Sequence, residues 1–234
     1  MEKVIYVLWR RDGESPADFA AHLLGPMTDA LVGVGVHGLQ VNVADEAVAP
    51  AVVKVRTLDP QMEAIVGVWL HSANDSYRRP VDDIVHATAA RCASYLVTES
   101  VPLPNTTRRS PLRRRTDGFA NVAFLRRPER LTEAEWLDAW LNGQTPVAVA
   151  TQSTFGYTQN VVVRTLSDDA PPFRGIVEEL FPPEALTDLH AFFDAPGDDD
   201  RLTRHMTEMG ASTDRFGATE AIDVVPTSQY VILA

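Results

Sequence analysis

Short apolar runs alternate along the first part of this chain with longer segments in which apolar residues recur at helical spacing. The short runs are rich in β-branched and aromatic residues and predict strands, whereas the periodic segments predict helices. The first helix is expected to begin after Ser15, which can cap it, and to end near Gly33. The elements run strand, helix, strand, strand, helix, strand over residues 3–10, 16–31, 39–43, 65–70, 80–90 and 95–101. That order is the split βαβ, or ferredoxin-like, unit.

The second part of the chain predicts the same order of elements. Its runs lie at residues 122–125, 132–141, 157–163, 176–181, 183–193 and 218–225, and an apolar tail at 230–233 could pair with an open sheet edge. We therefore predict an α+β fold with two fused ferredoxin-like (βαββαβ) halves. The predicted division is an N-terminal half at 1–101, an Arg- and Pro-rich linker at 102–118 and a C-terminal half at 119–234.

Matching segments that keep the same order support a duplication. The runs 4–11, 39–43, 65–70 and 97–101 correspond to 120–127, 157–161, 176–181 and 218–222, and the cap residue Ser15 corresponds to Thr132. Each match is weak by itself, but an internal repeat sets the architecture when its order is kept. Two similar halves in one chain suggest a fused dimer whose two-fold interface has become internal.

Composition excludes several classes of protein. The 234 residues are 45% apolar, which is enough for a well-formed core, and no run approaches the roughly 18 uninterrupted apolar residues of a membrane span. The first residues lack the order of a signal peptide. The only cysteine, Cys92, cannot form an internal disulfide. A reducing compartment, the cytoplasm, is therefore expected, with no membrane partner.

The formal net charge of -11 argues against binding to a phosphate backbone, which requires clustered Lys and Arg. The linker is the exception, because five arginines lie close together there: Arg108, Arg109, Arg113, Arg114 and Arg115. One interpretation of this cluster is an arm that binds nucleic acid. The interpretation we favour places these arginines across the acidic surfaces of the two halves. No nucleic acid is therefore expected as a partner.

Motifs for cofactor or metal binding fail a test of their context. Gly33, Gly35 and Gly38 match the spacing of a dinucleotide-binding loop. A helix precedes them and a strand follows, which is the reverse of the order that such a loop requires. The histidines share no ligand spacing, and the chain has neither paired cysteines nor an HExxH motif. We expect no cofactor and no metal.

The first helix of each half resembles a motif in which a Trp is followed four residues later by a His. Trp140 and Gln144 occupy these two places in the second half, and Leu23 and Met27 occupy them in the first half. The Trp is therefore kept once, and the His is kept in neither half.

The third predicted strand of each half resembles the pattern Asp-Gly-x-x-Glu-x-Trp-Phe. Residues 174–181 keep its glycine, its glutamate at Glu178 and its final Phe, whereas residues 63–70 keep an acidic residue and the Trp but have Gly67 in place of the glutamate. On these residues the chain is similar to the EthD family of the dimeric α/β-barrel superfamily. The resemblance covers most of both halves.

This resemblance implies a fold and a range of activities. Two antiparallel sheets, one from each half, are expected to face each other as an intramolecular dimeric α/β barrel. In this superfamily an apolar pocket often remains open between each sheet and its helices. Its members include cyclases, isomerases, lyases and quinone-forming monooxygenases that act on aromatic or polyketide-like molecules without a cofactor. The EthD family itself is associated with accessory roles in catabolic systems.

Two adjacent glutamates in the predicted strand 176–181 form the most informative polar feature of the second half. Strand alternation places Glu178 and Glu179 on opposite faces, so one carboxylate must face a packed layer. A carboxylate held against apolar neighbours would have a raised pKa and could transfer protons. Glu178 is the candidate for this role. The alternative is a charge paired with an arginine between the halves, for which Arg164 and Arg174 are candidates.

These features combine into one predicted site. Its catalytic residues are His37, Glu178 and Tyr157. His37 is included because its ordinary pKa, near 6.5, suits a general base at neutral pH, and the alternative is a surface or hydrogen-bonded loop histidine. The predicted substrate-binding residues are Gln40, Asn42, Trp69, Trp140, Gln144 and Asn160.

Two functions remain open on the sequence. The first is a cofactor-free small-molecule enzyme of the cyclase, isomerase, lyase or monooxygenase type, acting on an aromatic or polyketide-like substrate in an apolar pocket between sheet and helices. The second is a non-catalytic EthD-like accessory or ligand-binding protein, because Met27 and Gln144 replace the His and Gly67 replaces one glutamate. In both cases the partner is a small apolar or aromatic ligand, and a homodimer of the whole chain is left open.

Overall fold

The computed structural model describes residues 1–234, and its eight strands close into a single antiparallel barrel. The strands are β1 (Glu2–Trp9), β2 (Gly38–Val43), β3 (Ala64–Leu70), β4 (Arg91–Leu103), β5 (Phe119–Leu125), β6 (Gly156–Thr165), β7 (Gly175–Phe181) and β8 (Ile222–Leu233). Around the barrel they follow the order β1-β3-β2-β8-β5-β7-β6-β4, with β4 next to β1. The predicted α+β class is confirmed.

Each half of the chain contributes four neighbouring strands in the same order. The first half supplies β4-β1-β3-β2 and the second supplies β8-β5-β7-β6. The halves meet at two seams, β2 against β8 and β4 against β6. Neither half therefore leaves an open sheet edge.

The strand register fixes which residues of the two halves are equivalent, taking the matched third strands as the reference. Val68 of β3 lies opposite Val4 of β1, and Glu179 of β7 lies opposite Asn121 of β5. Val4 is thus equivalent to Asn121, whereas the sequence match pairs it with Ala120. A shift of one residue moves a side chain to the other face of a strand. The sequence match of Val4 with Ala120 was therefore wrong, because these two side chains lie on opposite faces of their strands.

Helices cover the outer face of the barrel. They are α1 (Pro16–His22), α2 (Thr28–Gly33), α3 (Asp75–Thr88), α4 (Glu133–Leu137), α5 (Thr145–Thr151), α6 (Leu189–Phe192) and α7 (Asp199–Phe216). Both predicted caps are confirmed, since Ser15 caps α1 and Thr132 forms a capping box with Glu135 on α4. In each half a π-helical turn, Leu23–Met27 or Asp138–Gln144, joins the first two helices. Such turns interrupt helices at functional positions more often than elsewhere.

The largest departure from the predicted elements is α7. The predicted elements assign nothing between residues 193 and 218, but Asp198 caps α7 by accepting a hydrogen bond from the Arg201 N–H. Only Ser212 and Phe216 are buried along this helix. Leu202, Met206, Met209 and Phe216 do recur at helical spacing, but most of the helix is charged or polar, and the predicted elements overlooked this sparse pattern.

β8 is one strand where the sequence predicts a strand at 218–225 and a separate tail at 230–233. Pro226 lies between the two runs and interrupts the strand pattern. β8 pairs with β5 as far as Thr227 and with β2 from Ser228 onward. The tail therefore covers the edge of β2, and the strand spans the seam between the halves.

Alternation along the strands divides the apolar residues into two layers. One layer fills the barrel, where Ile5, Tyr95, Phe124 and Ile176 belong to a single cluster drawn from both halves. The other layer lies between the outer face of the strands and the helices, in a separate cluster for each half. No helix combines the length and the apolar character that crossing a membrane would require.

Candidate functional site

The two adjacent glutamates of β7 point to opposite faces of the barrel wall. Glu178 faces the interior, where its carboxylate accepts hydrogen bonds from Lys3 Nζ at 3.0 Å, from Asn160 Nδ2 at 3.1 Å and from the Gln40 side-chain amide. Lys3 also donates to Glu99 Oε2 at 2.5 Å. This interior network joins residues of both halves.

The network determines the protonation of Glu178. Burial raises its pKa, but the Lys3 ammonium and the hydrogen bonds from Asn160 and Gln40 outweigh burial, so the net direction of the pKa is down. A carboxylate held ionised in this way is a poor proton carrier at neutral pH. The prediction that Glu178 faces apolar neighbours is wrong. The alternative of an ion pair between the halves is right in kind, but the cation is Lys3.

The neighbouring residues of the first half explain how Lys3 enters the barrel. Gly67 is the equivalent of Glu178, and a Cβ atom at Gly67 would lie 3.3 Å from Lys3 Cε. The ammonium also lies 4.6 Å from the centroid of the Trp69 ring. Because the first half has Gly67 where the second half has Glu178, the Lys3 side chain can occupy the space beside that glycine.

The other face of β7 borders a cavity of about 400 Å³ between the second-half strands and their helices. Its lining is mainly apolar, and the aromatic members are Trp140, Tyr157, Phe192, Phe193 and Phe216. Apolar clefts of this size with a few polar groups are the usual form of small-molecule sites.

A row of three polar side chains crosses the wall of this cavity. Glu179 lies opposite Asn121 of β5 on one side and opposite Tyr157 of β6 on the other. All three residues line the cavity. Directly opposed residues of antiparallel strands have their Cβ atoms about 4.5–5.5 Å apart, so the three side chains are neighbours.

Glu179 is the unusual member of this row. Its carboxylate takes part in no hydrogen bond and no ion pair, and burial raises its pKa to about 8. The side chain is half-buried, and it borders the cavity. A pKa near the working pH suits a group that must both accept and release a proton.

Tyr157 differs from Glu179 in its protonation. Burial, with a further contribution from the charge of Glu179, raises the pKa of the phenol well above its ordinary value. Tyr157 is therefore neutral, and able to donate a hydrogen bond, at neutral pH.

Four buried polar atoms of cavity-lining residues have no hydrogen-bond partner: Asn121 Oδ1, Trp140 Nε1, Gln144 Oε1 and Gln152 Oε1. The amide nitrogen of Gln144 donates to Met209 Sδ at 2.9 Å. Buried polar groups without partners are rare and costly. Their concentration around one cavity indicates a place for a polar ligand group.

The corresponding space in the first half is filled by apolar side chains. The equivalents of Asn121, Glu179 and Tyr157 are Val4, Val68 and Leu39, and all three belong to a fully buried cluster. Leu23 and Met27, at the places of Trp140 and Gln144, belong to the same cluster. The polar row is therefore a property of the second half.

A second depression of about 500 Å³ lies at another part of the surface. Charged side chains dominate its lining, and some of them are already paired, as in the 2.6 Å ion pair between Arg10 and Glu63. We place the candidate site in the apolar cavity, because its polar groups are few and unpartnered.

The structure divides the predicted site residues among three locations. Tyr157, Trp140 and Gln144 line the cavity. Glu178, Gln40, Asn42, Trp69 and Asn160 lie on the barrel side, so the prediction that they share the sheet–helix pocket is wrong. His37 is exposed at the start of β2, with its ring 3.8 Å from the ring of His71.

Sequence reasoning missed Glu179 and Asn121. Alternation did place Glu179 on the face opposite Glu178, but it could not say which face carries the helices. The family pattern then directed attention to Glu178. Asn121 lies inside an apolar run, and its polar side chain was the one available signal.

Neither a protein-family model nor a curated protein sequence matches this chain. Its fold is similar to that of several solved structures. An anthrone oxidase-like protein has 11% identity over 99% of this chain and 93% of its own, with a TM-score of 0.61. A candidate monooxygenase from Fusobacterium nucleatum subsp. nucleatum has 12% identity over 99% and 91%, with a TM-score of 0.50. At these identities the likeness shows the fold alone, and membership of the EthD family stays a prediction.

Proposed function

We propose that this chain is a small-molecule enzyme whose active site is the second-half cavity and whose proton acceptor is Glu179. The observation that carries this proposal is an unpaired carboxylate with a pKa of about 8 in an apolar cavity. Burying such a group costs stability and does nothing for packing, so its presence fits a role in chemistry.

The proposed first step removes a proton from a carbon atom that is conjugated with a carbonyl group of the substrate, either next to it or, as in an anthrone, across an aromatic ring. The Glu179 carboxylate takes the proton, and the electron pair of the C–H bond remains on the substrate as an enolate. The neutral Tyr157 phenol and the unpartnered N–H of Trp140 are the donors placed to bind the enolate oxygen. Reactions of the isomerase, cyclase and monooxygenase types can all begin in this way.

The lining of the cavity favours a flat aromatic or polyketide-like ketone. Trp140, Phe192 and Phe216 offer aromatic surface to such a ring system. The amides of Asn121 and Gln144 can bind a phenolic hydroxyl or a carbonyl at its edge. A substrate with one acidic CH or CH₂ group and few polar groups would use the carboxylate, the aromatic lining and the side-chain amides.

Oxidation by molecular oxygen is the specific reaction that we favour. The similarity in fold to an anthrone oxidase-like protein supports it. Deprotonation of the CH₂ group of an anthrone gives an electron-rich enolate that adds O₂, and protonation of the adduct gives a hydroperoxide. Loss of the second C–H proton with cleavage of the O–O bond forms the quinone carbonyl and releases water. One oxygen atom enters the product and the other leaves as water.

Ligand binding without turnover is the second candidate. Gln144 stands at the place where the resemblance expects a histidine, and glutamine cannot transfer a proton. The first half has lost its polar row altogether. Under this alternative the cavity would hold the same class of ligand and deliver it elsewhere.

The test is air oxidation of 1,8-dihydroxyanthrone, followed by oxygen uptake and by the absorbance of the quinone. The wild type should accelerate the reaction, and Glu179→Gln should reduce the acceleration by roughly 100-fold or more. Glu133→Gln is the matched control, because Glu133 is an exposed glutamate paired with Arg174. Binding without turnover by the wild type would favour the second candidate, and absence of binding would reject both.

We also propose that the barrel derives from two fused ferredoxin-like units divided at 1–101, 102–118 and 119–234. The identical strand order of the two halves supports this view. Under it, the first half has become a scaffold that completes the barrel and the second half has kept the site.

A further inference from the structure

The segment that joins β2 to β3 leaves the first half and packs against the second. The Val52 N–H donates to the Leu186 carbonyl at 2.9 Å. Val55 and Val224 exchange two backbone hydrogen bonds of 3.1 and 2.9 Å, so this part of the segment runs beside β8. These contacts are made between backbone atoms of the segment and of the second half.

This segment contributes directly to the candidate active site. The side chains of Val53 and Val55 line the cavity, although both residues belong to the first half. Val55 retains 38% of its exposure, which places it at the mouth of the cavity. The neighbouring Val52 is exposed and does not line the cavity.

One buried carboxylate fastens the segment. Asp223 of β8 is fully buried, and its oxygens accept hydrogen bonds from the Thr57 N–H at 2.7 Å, the Thr57 hydroxyl at 2.6 Å and the Leu58 N–H at 3.1 Å. Arg126 of the second half completes the arrangement with an ion pair of 2.9 Å. Charge-assisted hydrogen bonds of this kind are stronger than neutral ones.

The charge on Asp223 is maintained by these contacts. Burial raises its pKa, but the hydrogen bonds from Thr57, Leu58 and Arg126 outweigh burial and lower it. The anchor is therefore ionised at neutral pH, and its strength depends on that charge.

We infer that Asp223 is a positioning residue that holds segment 52–58 across the cavity, and that Val53 and Val55 set the size of the ligand that the second half accepts. This inference rests on the proposed function in so far as the cavity must bind a ligand. It gives the first half a part in specificity although its own site is filled.

The anchor is tested by hydrogen–deuterium exchange on the full chain. Asp223→Asn removes the charge, and amide exchange of residues 52–58 should become roughly tenfold faster while the rest of β8 changes less. Asp169→Asn is the control, because Asp169 is an exposed aspartate paired with Arg91. Unchanged exchange in residues 52–58 would overturn the anchoring role.

The size role is tested at Val55 without disturbing the anchor. We expect Val55→Trp to weaken binding of the three-ring probe 1,8-dihydroxyanthrone roughly tenfold and binding of the two-ring probe 1-naphthol less than about threefold. Val52→Trp adds the same bulk to the same segment outside the cavity and should change neither affinity. Equal weakening of both probes by Val55→Trp would overturn the inference, since a merely structural effect does not discriminate by ligand size.

These outcomes separate the inference from the proposed function. If 1,8-dihydroxyanthrone binds with the expected dependence on Val55 but is not oxidised, the proposed function fails and the inference stands. If neither probe binds the wild type, the size role fails together with the proposed function. The exchange experiment decides the anchoring role in either case.

Discussion

Tyr6 and Ala123 occupy equivalent positions in the two halves, and the large Tyr6 side chain is packed in the first-half core whereas the small Ala123 side chain lines the second-half cavity. Tyr6 lies opposite Val66 on β3, and Ala123 lies opposite Val177 on β7. The Tyr6 ring fills the space between strands and helices, and its hydroxyl donates to Asp82 Oδ1 at 2.7 Å. In the second half the methyl group of Ala123 leaves that volume open.

Enlarging Ala123 should therefore close the cavity. Ala123→Phe is expected to weaken binding of 1,8-dihydroxyanthrone by roughly tenfold or more, with a stability cost of about 1–3 kcal/mol from overpacking. Isothermal titration calorimetry measures the first effect and urea unfolding the second. Val149→Phe, on the exposed side of α5, serves as the control. Unchanged affinity in Ala123→Phe would show that the ligand binds elsewhere.

The pH dependence of turnover should report Glu179. A general base with a pKa of about 8 is about one-tenth ionised at pH 7, so kcat/KM should rise with pH up to about 8 and then level off. The rise should be absent from the residual activity of Glu179→Gln. A profile that levels off below pH 6 would point to a different base.

Glu179 should also make the folded protein less stable as the pH rises. Its pKa is about 8 in the folded state and 4.5 as the ordinary value, so the folded state holds the proton across a range in which the unfolded state has lost it. The free energy of unfolding is therefore highest, as far as Glu179 is concerned, below pH 4.5. It decreases as the pH rises from 4.5 to about 8, because ionisation then favours the unfolded state.

Glu179→Gln removes this loss. The unfolding free energy of the variant minus that of the wild type should be roughly 2–4 kcal/mol larger at pH 9 than at pH 5. The reason is that each unit of pKa shift corresponds to about 1.4 kcal/mol. Urea unfolding at both pH values checks the gain. A difference that stays constant with pH would contradict a raised pKa at Glu179.

The ion pair inside the barrel should behave as a structural element. Lys3→Met leaves the Glu178 carboxylate without its cation and should cost about 3–5 kcal/mol, whereas the double change Lys3→Met, Glu178→Gln should recover much of that loss. A double-mutant cycle on unfolding free energies measures the coupling.

Two controls complete this cycle. Arg91→Met removes an exposed ion pair and should cost less than about 1 kcal/mol. Glu178→Gln should leave binding of 1,8-dihydroxyanthrone unchanged, because Glu178 does not line the cavity. Lost binding in folded Glu178→Gln would return this residue to the active site.

Features that a few neighbouring residues define were predicted from the sequence, whereas features that depend on longer or weaker patterns were missed. The helix caps Ser15 and Thr132 were predictable, because a cap is recognised from the few residues around it. α7 was missed, because its apolar side chains are correctly spaced for a helix but are few among charged and polar residues. The equivalence of Val4 with Asn121 was also missed, because weak matches do not resolve a shift of one residue.

The sequence by itself determined the order of the first seven strands and the presence of two adjacent carboxylates on opposite faces of one strand. These features follow from local spacing, which each segment carries wherever it is placed. Only the tertiary structure decided that Glu178 meets Lys3 inside a closed barrel while Glu179 meets a cavity. The reason is that alternation distinguishes two faces of a strand without naming them, and the pairing of distant strands assigns one face to charged partners and the other to apolar space.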